Sequence, residues 1–325
     1  MDNTITQRLL RFGWKLPYLR LLSSRKTVIL VYHGIPKEPH GSQLGSSEFE
    51  QHILFLKQHF ELVPPQRFQK KRKAFGRPRV LLTFDDGFRN HADVVAPILR
   101  KHATPALFFI SSRHSIRGKY LWFSYLRALQ KHFPHDVLSF RGVSFDMSPA
   151  HREASIERLS NDLLDLKPHP GAMYLAIEKE LPKLEEFVDE NILVDSYAGM
   201  TAEQIAHMAK DPLFTFGAHT VDHPFLTRCG RDEINRQLLD NKTWIEALTR
   251  RQCLAIAYPG GAYDRTVLEL CDKIGFTRGH ALIPILNTDD SYEIPRLGIY
   301  SKSLDILGFK VQWGQMLRGV RIRIG

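Results

Sequence analysis

The chain has few cysteines. There are three in 325 residues, Cys229, Cys253 and Cys271, an odd number with wide spacing and no C-x-x-C pair. That excludes a disulfide framework as the source of stability and fits reduced thiols in a reducing compartment. Long apolar runs are missing as well. No uncharged stretch approaches the roughly 18 residues needed to span a bilayer. The N-terminal leucines are interrupted by Arg11, Lys15, Pro17 and Arg20, which is not a signal-peptide pattern. The expectation is a cytoplasmic protein. Acidic residues are lacking in particular places. None occurs from Asn3 to Lys37, the run Arg67 to Arg79 includes Lys70-Lys71-Arg72-Lys73, and Lys310, Arg318, Arg321 and Arg323 stand unopposed after Asp305.

The resulting net charge of +10 is either a solubilising surface or an attraction to an anionic partner, such as a phospholipid surface or a phosphorylated carrier. No nucleic-acid-binding motif accompanies it, so nucleic acid is not expected as a partner. Residues 1–26 form a basic amphipathic segment. It suits peripheral contact with the inner face of a membrane, or packing against the main domain. Residues 301–325 read as a basic tail.

What is present is an α/β pattern. At 43% hydrophobic content the chain can bury a large core. Apolar runs at 27–32, 80–84, 106–110, 214–216, 254–258, about 280–282 and 297–299 read as strands. Between them fall helical stretches at about 47–59, 92–102, 201–210, 232–249 and 266–274. The first carries a capping-box pattern in Ser47 and Glu50, and Thr201 is the expected N-cap of another. Buried strands alternating with helices predict a parallel sheet covered by helices. The rhythm breaks from about 114 to 199, where three helices (122–132, 150–166 and 171–191) follow one another with no strand, as an insertion.

Chemistry-bearing residues cluster at strand ends. Val80 to Phe84 runs directly into Asp85-Asp86-Gly87, two adjacent acids that repel unless a cation or donor compensates them. His33 ends the first strand. His219 and His223 follow the strand at 214, at an i, i+4 spacing that would put both imidazoles on one face of a helical turn. Pro259-Gly260-Gly261 ends another strand, and Arg296 heads the last. In parallel barrels the C-terminal strand ends form one rim. Two imidazoles and one carboxylate there make a three-ligand metal site with open positions, so the acids divide the work of a metal-assisted hydrolysis. The same ligand set serves non-haem iron oxygenases, where a second adjacent carboxylate has no evident use.

Thr83-Phe84-Asp85-Asp86-Gly87, His219-Thr220-x-x-His223 and Ala257-Tyr258-Pro259-Gly260-Gly261, in this order, resemble the polysaccharide deacetylase family, the NodB homology domain of carbohydrate esterase family 4. The resemblance covers about 27–113 and 200–300. It implies a deformed, TIM-like (β/α) barrel of about seven strands over 27–300, interrupted by the helical insertion at about 114–199. The implied activity is metal-dependent hydrolysis of a non-peptide carbon–nitrogen bond, removing N-acetyl groups from an amino-sugar-containing glycan or glycan precursor. By that resemblance Asp86, His219 and His223 hold a divalent metal, zinc foremost, with cobalt, nickel or iron suited to the same ligands. Asp85 is the base that activates a metal-bound water, and the Gly260 N–H stabilises the oxyanion. O-acetyl ester hydrolysis, or a glycan-binding relative without activity, are the alternatives.

Two departures from the family pattern matter. Many members carry an arginine where this chain has Ala257, and an L-x-H where it has Leu297-Gly298-Ile299. Arg296 is positioned to supply the missing positive charge to Asp85. For the acid that protonates the leaving amine, His33 and His280 are candidates and neither is assigned. Trp122, Phe123 and Tyr125 are candidates to wall a sugar cleft. Without an export signal, the expected substrate is a lipid-linked or nucleotide-linked intermediate of bacterial glycan biosynthesis.

Overall fold

A computed structural model of the chain describes residues 27–39, 44–68, 77–286 and 291–313. The basic stretches 1–26, 70–73 and 314–325 lie outside the described residues. No helix among the described residues is long and apolar enough to cross a membrane.

The strands are β1 (Val28–Tyr32), β2 (Glu61–Leu62), β3 (Arg79–Phe84), β4 (Ala106–Ile110), β5 (Val137–Phe140), β6 (Val143–Asp146), β7 (Phe214–Ala218), β8 (Ala255–Ala257), β9 (Arg278–Ala281), β10 (Ile294–Pro295) and β11 (Leu297–Gly298). β1, β3 and β4 are buried at every position, as strands covered on both faces must be. The main sheet is parallel throughout, in the order β10-β9-β8-β7-β4-β3-β1-β11, with β2 attached to β3. β10 pairs with β9 while β11 pairs with β1, and only Arg296 separates them. One bent segment therefore closes the ring. Counted once with β1, β3, β4, β7, β8 and β9, it gives seven strand positions, the deformed (β/α) barrel the sequence predicts.

The period-two alternation of strands sorts their side chains. Val28, Leu30, Tyr32, Val80, Leu82, Phe84, Ala106, Phe108 and Ile110 join the main core under the helices. The opposite parity fills the barrel: Ile29 with Leu81 and Ile294, and Leu107 with Phe109 and Ala257. Outside lie α1 (Ser46–His59), α2 (Ala96–Lys101), α6 (Ala202–Met208), α7 (Arg231–Thr249), α8 (Arg265–Ile274) and α9 (Leu304–Trp313). The insertion supplies α3 (Trp122–His132), α4 (Arg152–Leu164) and α5 (Gly171–Glu180).

Three local expectations are corrected. α1 begins two residues too early for a Ser47–Glu50 capping box; its N-cap is Gly45, with no side-chain cap. The box at Thr201 forms in full with Gln204. The insertion is not purely helical, since β5 and β6 pair as an antiparallel hairpin. Its turn residues Arg141 and Gly142 both have positive φ (51° and 76°), as a two-residue type I′ turn requires. An Arg-Gly pair lacks the usual Asn-Gly signature, and each strand buries only alternate residues. Third, part of the expected tail is core: α9 buries Leu307 and Val311 in the main cluster.

Behind the insertion the chain returns across the β3 loop. Phe88 bridges Gly199, Met200 N–H donates to Gly87 O at 2.9 Å, and Arg89 N–H donates to Ala198 O at 2.8 Å. A Cβ at Gly199 would stand 2.0 Å from the backbone oxygen of His114. Gly199→Ala is expected to destabilise the fold by about 3 kcal/mol, read as a lower denaturant midpoint. An unchanged midpoint would show that this crossing can yield.

Candidate active site

Asp85 continues the inward parity of Leu81 and Thr83, and its N–H extends the ladder by donating to Tyr32 O at 3.0 Å. Asp86 and Gly87 then turn sharply, with φ of 75° and 77°. Aspartate tolerates this left-handed region better than most residues, and the turn swings the Asp86 carboxylate towards the β7 loop. The His114 imidazole braces the turn from behind, between the carbonyls of Asp86 (3.1 Å) and Tyr197 (2.8 Å).

His219 and His223 do not lie on a helical turn. β7 ends at Ala218, and the following segment is a loop in which Thr220 (φ 66°) and His223 (φ 52°) are left-handed. Spacing alone brought the pair to notice; the loop, not helix periodicity, brings the rings together. Their centroids are 4.8 Å apart, and both Nε2 atoms lie 3.3 Å from Asp86 Oδ1. The loop is pinned on both sides. From α7, Asn241 Oδ1 accepts from His219 N–H at 3.0 Å, and Gln237 Oε1 accepts from Asp222 N–H at 2.8 Å. From the insertion, Trp122 Nε1 donates to His223 O at 3.1 Å and Tyr174 Oη to Asp222 O at 2.7 Å. Sequence reading missed these supports. The available signal was two amides one turn apart, Gln237 and Asn241, on the buried face of α7.

The triad suits a divalent cation. His219 Nδ1 donates to Ala257 O at 2.8 Å, which orients the ring and leaves Nε2 as the atom that would bind a metal or, without one, donate to Asp86. Asp86 Oδ2 is buried with no hydrogen-bond partner, an acceptor left for something other than protein. The 3.3 Å nitrogen–oxygen separations are close to the ~3.3 Å edge of a tetrahedron with ligands at about 2 Å. Among the described residues, Asp86, His219 and His223 are the grouping of metal-ligating side chains that converges this way. Burial raises the Asp86 carboxyl, yet the hydrogen bonds from His219 and His223 hold it well below its usual range. At His219 burial lowers the imidazole, but Asp85 and then Asp86 outweigh it and leave it raised; at His223 burial prevails and the ring is lowered.

Asp85 has a different partner. Arg296 grips it with two hydrogen bonds, Nη1 to Oδ1 at 2.6 Å and Nη2 to Oδ2 at 2.8 Å, a bidentate charged pair inside the barrel. The guanidinium also donates to Thr83 Oγ1 at 3.3 Å and lies over Phe109, 5.2 Å from the ring centroid. Phe109 also packs against Ala257. Burial raises the Asp85 carboxyl, but the charge of Arg296, then of His219, holds it below its usual range. Asp85 Oδ2 stands 4.0 Å from His219 Nε2, beside the triad rather than within it.

These groups floor a cleft of about 610 Å³, within the ordinary range of small-molecule sites. Gly260 (φ 60°) lines it. The turn there is closed by Gly261 N–H to Tyr258 O and Ala262 N–H to Pro259 O, which leaves the Gly260 N–H out of the turn's pairing. His33 lines the cleft and stacks on Tyr300 at 5.8 Å. His280 does not line it; it is buried against Phe109, and burial pushes its imidazole down to about 3. A ring held neutral away from the cleft is a poor proton donor to substrate. Trp122 and Phe123 line the cleft, whereas Tyr125 is insertion core, its hydroxyl donating to Pro182 O at 2.7 Å.

A barrel with this triad and an adjacent ion-paired carboxylate has the parts that a metal-assisted hydrolysis would use. The polysaccharide deacetylase family model matches residues 72–137 and 186–279, on either side of most of the insertion. The chain belongs to that family, hydrolases that take acetyl groups from glycans with a divalent metal. Comparison with curated proteins gives no significant match. Among solved structures, the chain is similar to IcaB from Ammonifex degensii (TM-score 0.57, 19% identity, 89% of this chain and 98% of that one). It is also similar to the Streptococcus pyogenes deacetylase PplD in complex with acetate (0.53, 18%, 85% and 92%). A third likeness is a de-N-acetylase from Aggregatibacter actinomycetemcomitans (0.53, 14%, 88% and 99%). At these identities the likeness is one of fold.

Proposed function

We propose that the protein is a metal-dependent deacetylase that removes the N-acetyl group from an amino-sugar residue of a glycan or glycan precursor. The observation that carries the reading is the convergence of Asp86, His219 and His223 beside the Asp85–Arg296 pair on the floor of one cleft. A similar fold in a de-N-acetylase supports the nitrogen-linked acetyl over the oxygen-linked one. A divalent metal held by the triad, zinc foremost, supplies Lewis-acid polarisation of the acetyl carbonyl and lowers the proton affinity of a water. Asp85 accepts the proton of the attacking water, kept ionised and oriented by Arg296. In this reading the Gly260 N–H, which the turn leaves out of its own pairing, donates to the oxygen on which negative charge develops. The leaving amine, in the same reading, takes its proton from His33, the one imidazole lining the cleft outside the triad among the described residues.

The test is acetate release from a panel of N- and O-acetylated sugars, free and lipid-linked, by protein treated with chelator and then reloaded. Chelation is expected to abolish release, and zinc, cobalt or nickel to restore it, with the N-acetyl substrates preferred. Release that survives complete metal removal would sink the reading.

A further inference from the structure

We propose that the cleft wall formed by α3 is a binding site for a phosphate group carried by the acetylated sugar, held between Arg127 and Lys131. The proposal rests on the deacetylase reading of the cleft and adds the charge of its substrate. α3 divides cleanly. Tyr125, Leu126, Ala128 and Leu129 bury into the insertion's own core. Phe123, Arg127, Gln130 and Lys131, at spacings of one and two helical turns, line the cleft that holds Asp85 and Asp86. The insertion therefore sets two solvent-exposed cations along the wall of that cleft.

Those cations are not compensated there. The acids that line the cleft are Asp85 and Asp86; the first is gripped by Arg296 and the second by the histidines. Neither Arg127 nor Lys131 has an ion-pair partner among the described residues. One helical turn apart, they repel each other: burial, then the charge of Arg127, holds the Lys131 ammonium below its ordinary value. A face needed for solubility alone would relieve that repulsion by alternating sign. A neutral pyranose requires no cation at all. A phosphate monoester, with a charge of about −1.5 to −2 at neutral pH, neutralises both, and its oxygens accept from guanidinium and ammonium together.

A phosphate could also reach a metal in the triad, so the test uses the full chain freed of metal by chelation. Dissociation constants are measured by calorimetry at low salt for N-acetylglucosamine 1-phosphate, N-acetylglucosamine 6-phosphate and methyl N-acetylglucosaminide. At least one phosphate is expected to bind about tenfold more tightly than the neutral glycoside. The advantage should shrink as salt is added and fall towards one in the Arg127→Gln/Lys131→Gln double variant. The two phosphates tell which end of the sugar carries the anion. Equal binding of all three, no measurable binding, or a phosphate preference that survives the double variant would overturn the proposal. Failure of the deacetylase reading shows separately, as no acetate from any substrate with reloaded protein while the phosphate preference persists.

Discussion

Asp85→Asn should reduce turnover by about 10²- to 10⁴-fold while the protein still binds one equivalent of divalent metal. The separation of the two effects follows from the geometry. Asp86 Oδ1 sits 3.3 Å from both imidazoles, whereas Asp85 spends both oxygens on Arg296 and approaches His219 only to 4.0 Å. An amide at 85 keeps the shape but cannot accept a proton, and it loses half of a buried ion pair. Some loss of stability must accompany the change, because the guanidinium is left without its counterion. Metal stoichiometry and the circular dichroism spectrum separate that cost from catalysis. A variant that folds, holds metal and fails to turn over supports the assignment of Asp85 as base. Loss of metal together with activity would make Asp85 a ligand instead, and near-native turnover would remove it from the chemistry.

How far the sequence reveals this arrangement varies with the range of the forces involved. β1, β3 and β4 are legible because a strand covered on both faces has to be continuously apolar. The acids of Asp85-Asp86 stand out because they end such a strand. The β5–β6 hairpin is hidden, since its turn uses an arginine in a left-handed conformation and its strands are half exposed. His219 and His223 are visible by spacing, but their loop geometry is not. It depends on Asn241, Gln237, Trp122 and Tyr174, contributed from distant parts of the chain. Residues 114–199 look in sequence like a separate appendage. In the structure they hold the His219–His223 loop by two backbone carbonyls and wall the cleft with one face of α3. Long-range hydrogen bonds to main chain leave almost no local signature, because any donor of the right reach will serve.

Arg296→Met carries the second large effect, and its sign with pH distinguishes an electrostatic role from a packing one. The native Asp85 carboxyl lies below its usual value because Arg296 offsets its burial. A folded-state pKa below the unfolded one gives stability that is present above the unfolded value, about 4, and is lost as pH falls through the folded pKa. Without the guanidinium only the weaker charge of His219 and of His33 opposes burial, and the carboxyl rises. At low pH the variant then carries a neutral acid in both states and loses little through ionisation. As pH rises past about 4 the unfolded chain ionises while the folded one resists, so the deficit relative to the native protein grows, towards about 3–5 kcal/mol for a buried charge robbed of its partner. Unfolding of chelator-treated native and variant protein at pH 4, 5.5 and 7 measures that widening gap. Activity should follow: with its base protonated over more of the range, the reloaded variant should show the acidic limb of kcat/KM displaced upwards and turnover at neutral pH reduced about 10- to 100-fold. A gap that stays constant with pH would mean that Arg296 serves only to fill the barrel over Phe109 and to hold the bend between β10 and β11. A gap that widens would show that the closing segment of the barrel also sets the charge of the base.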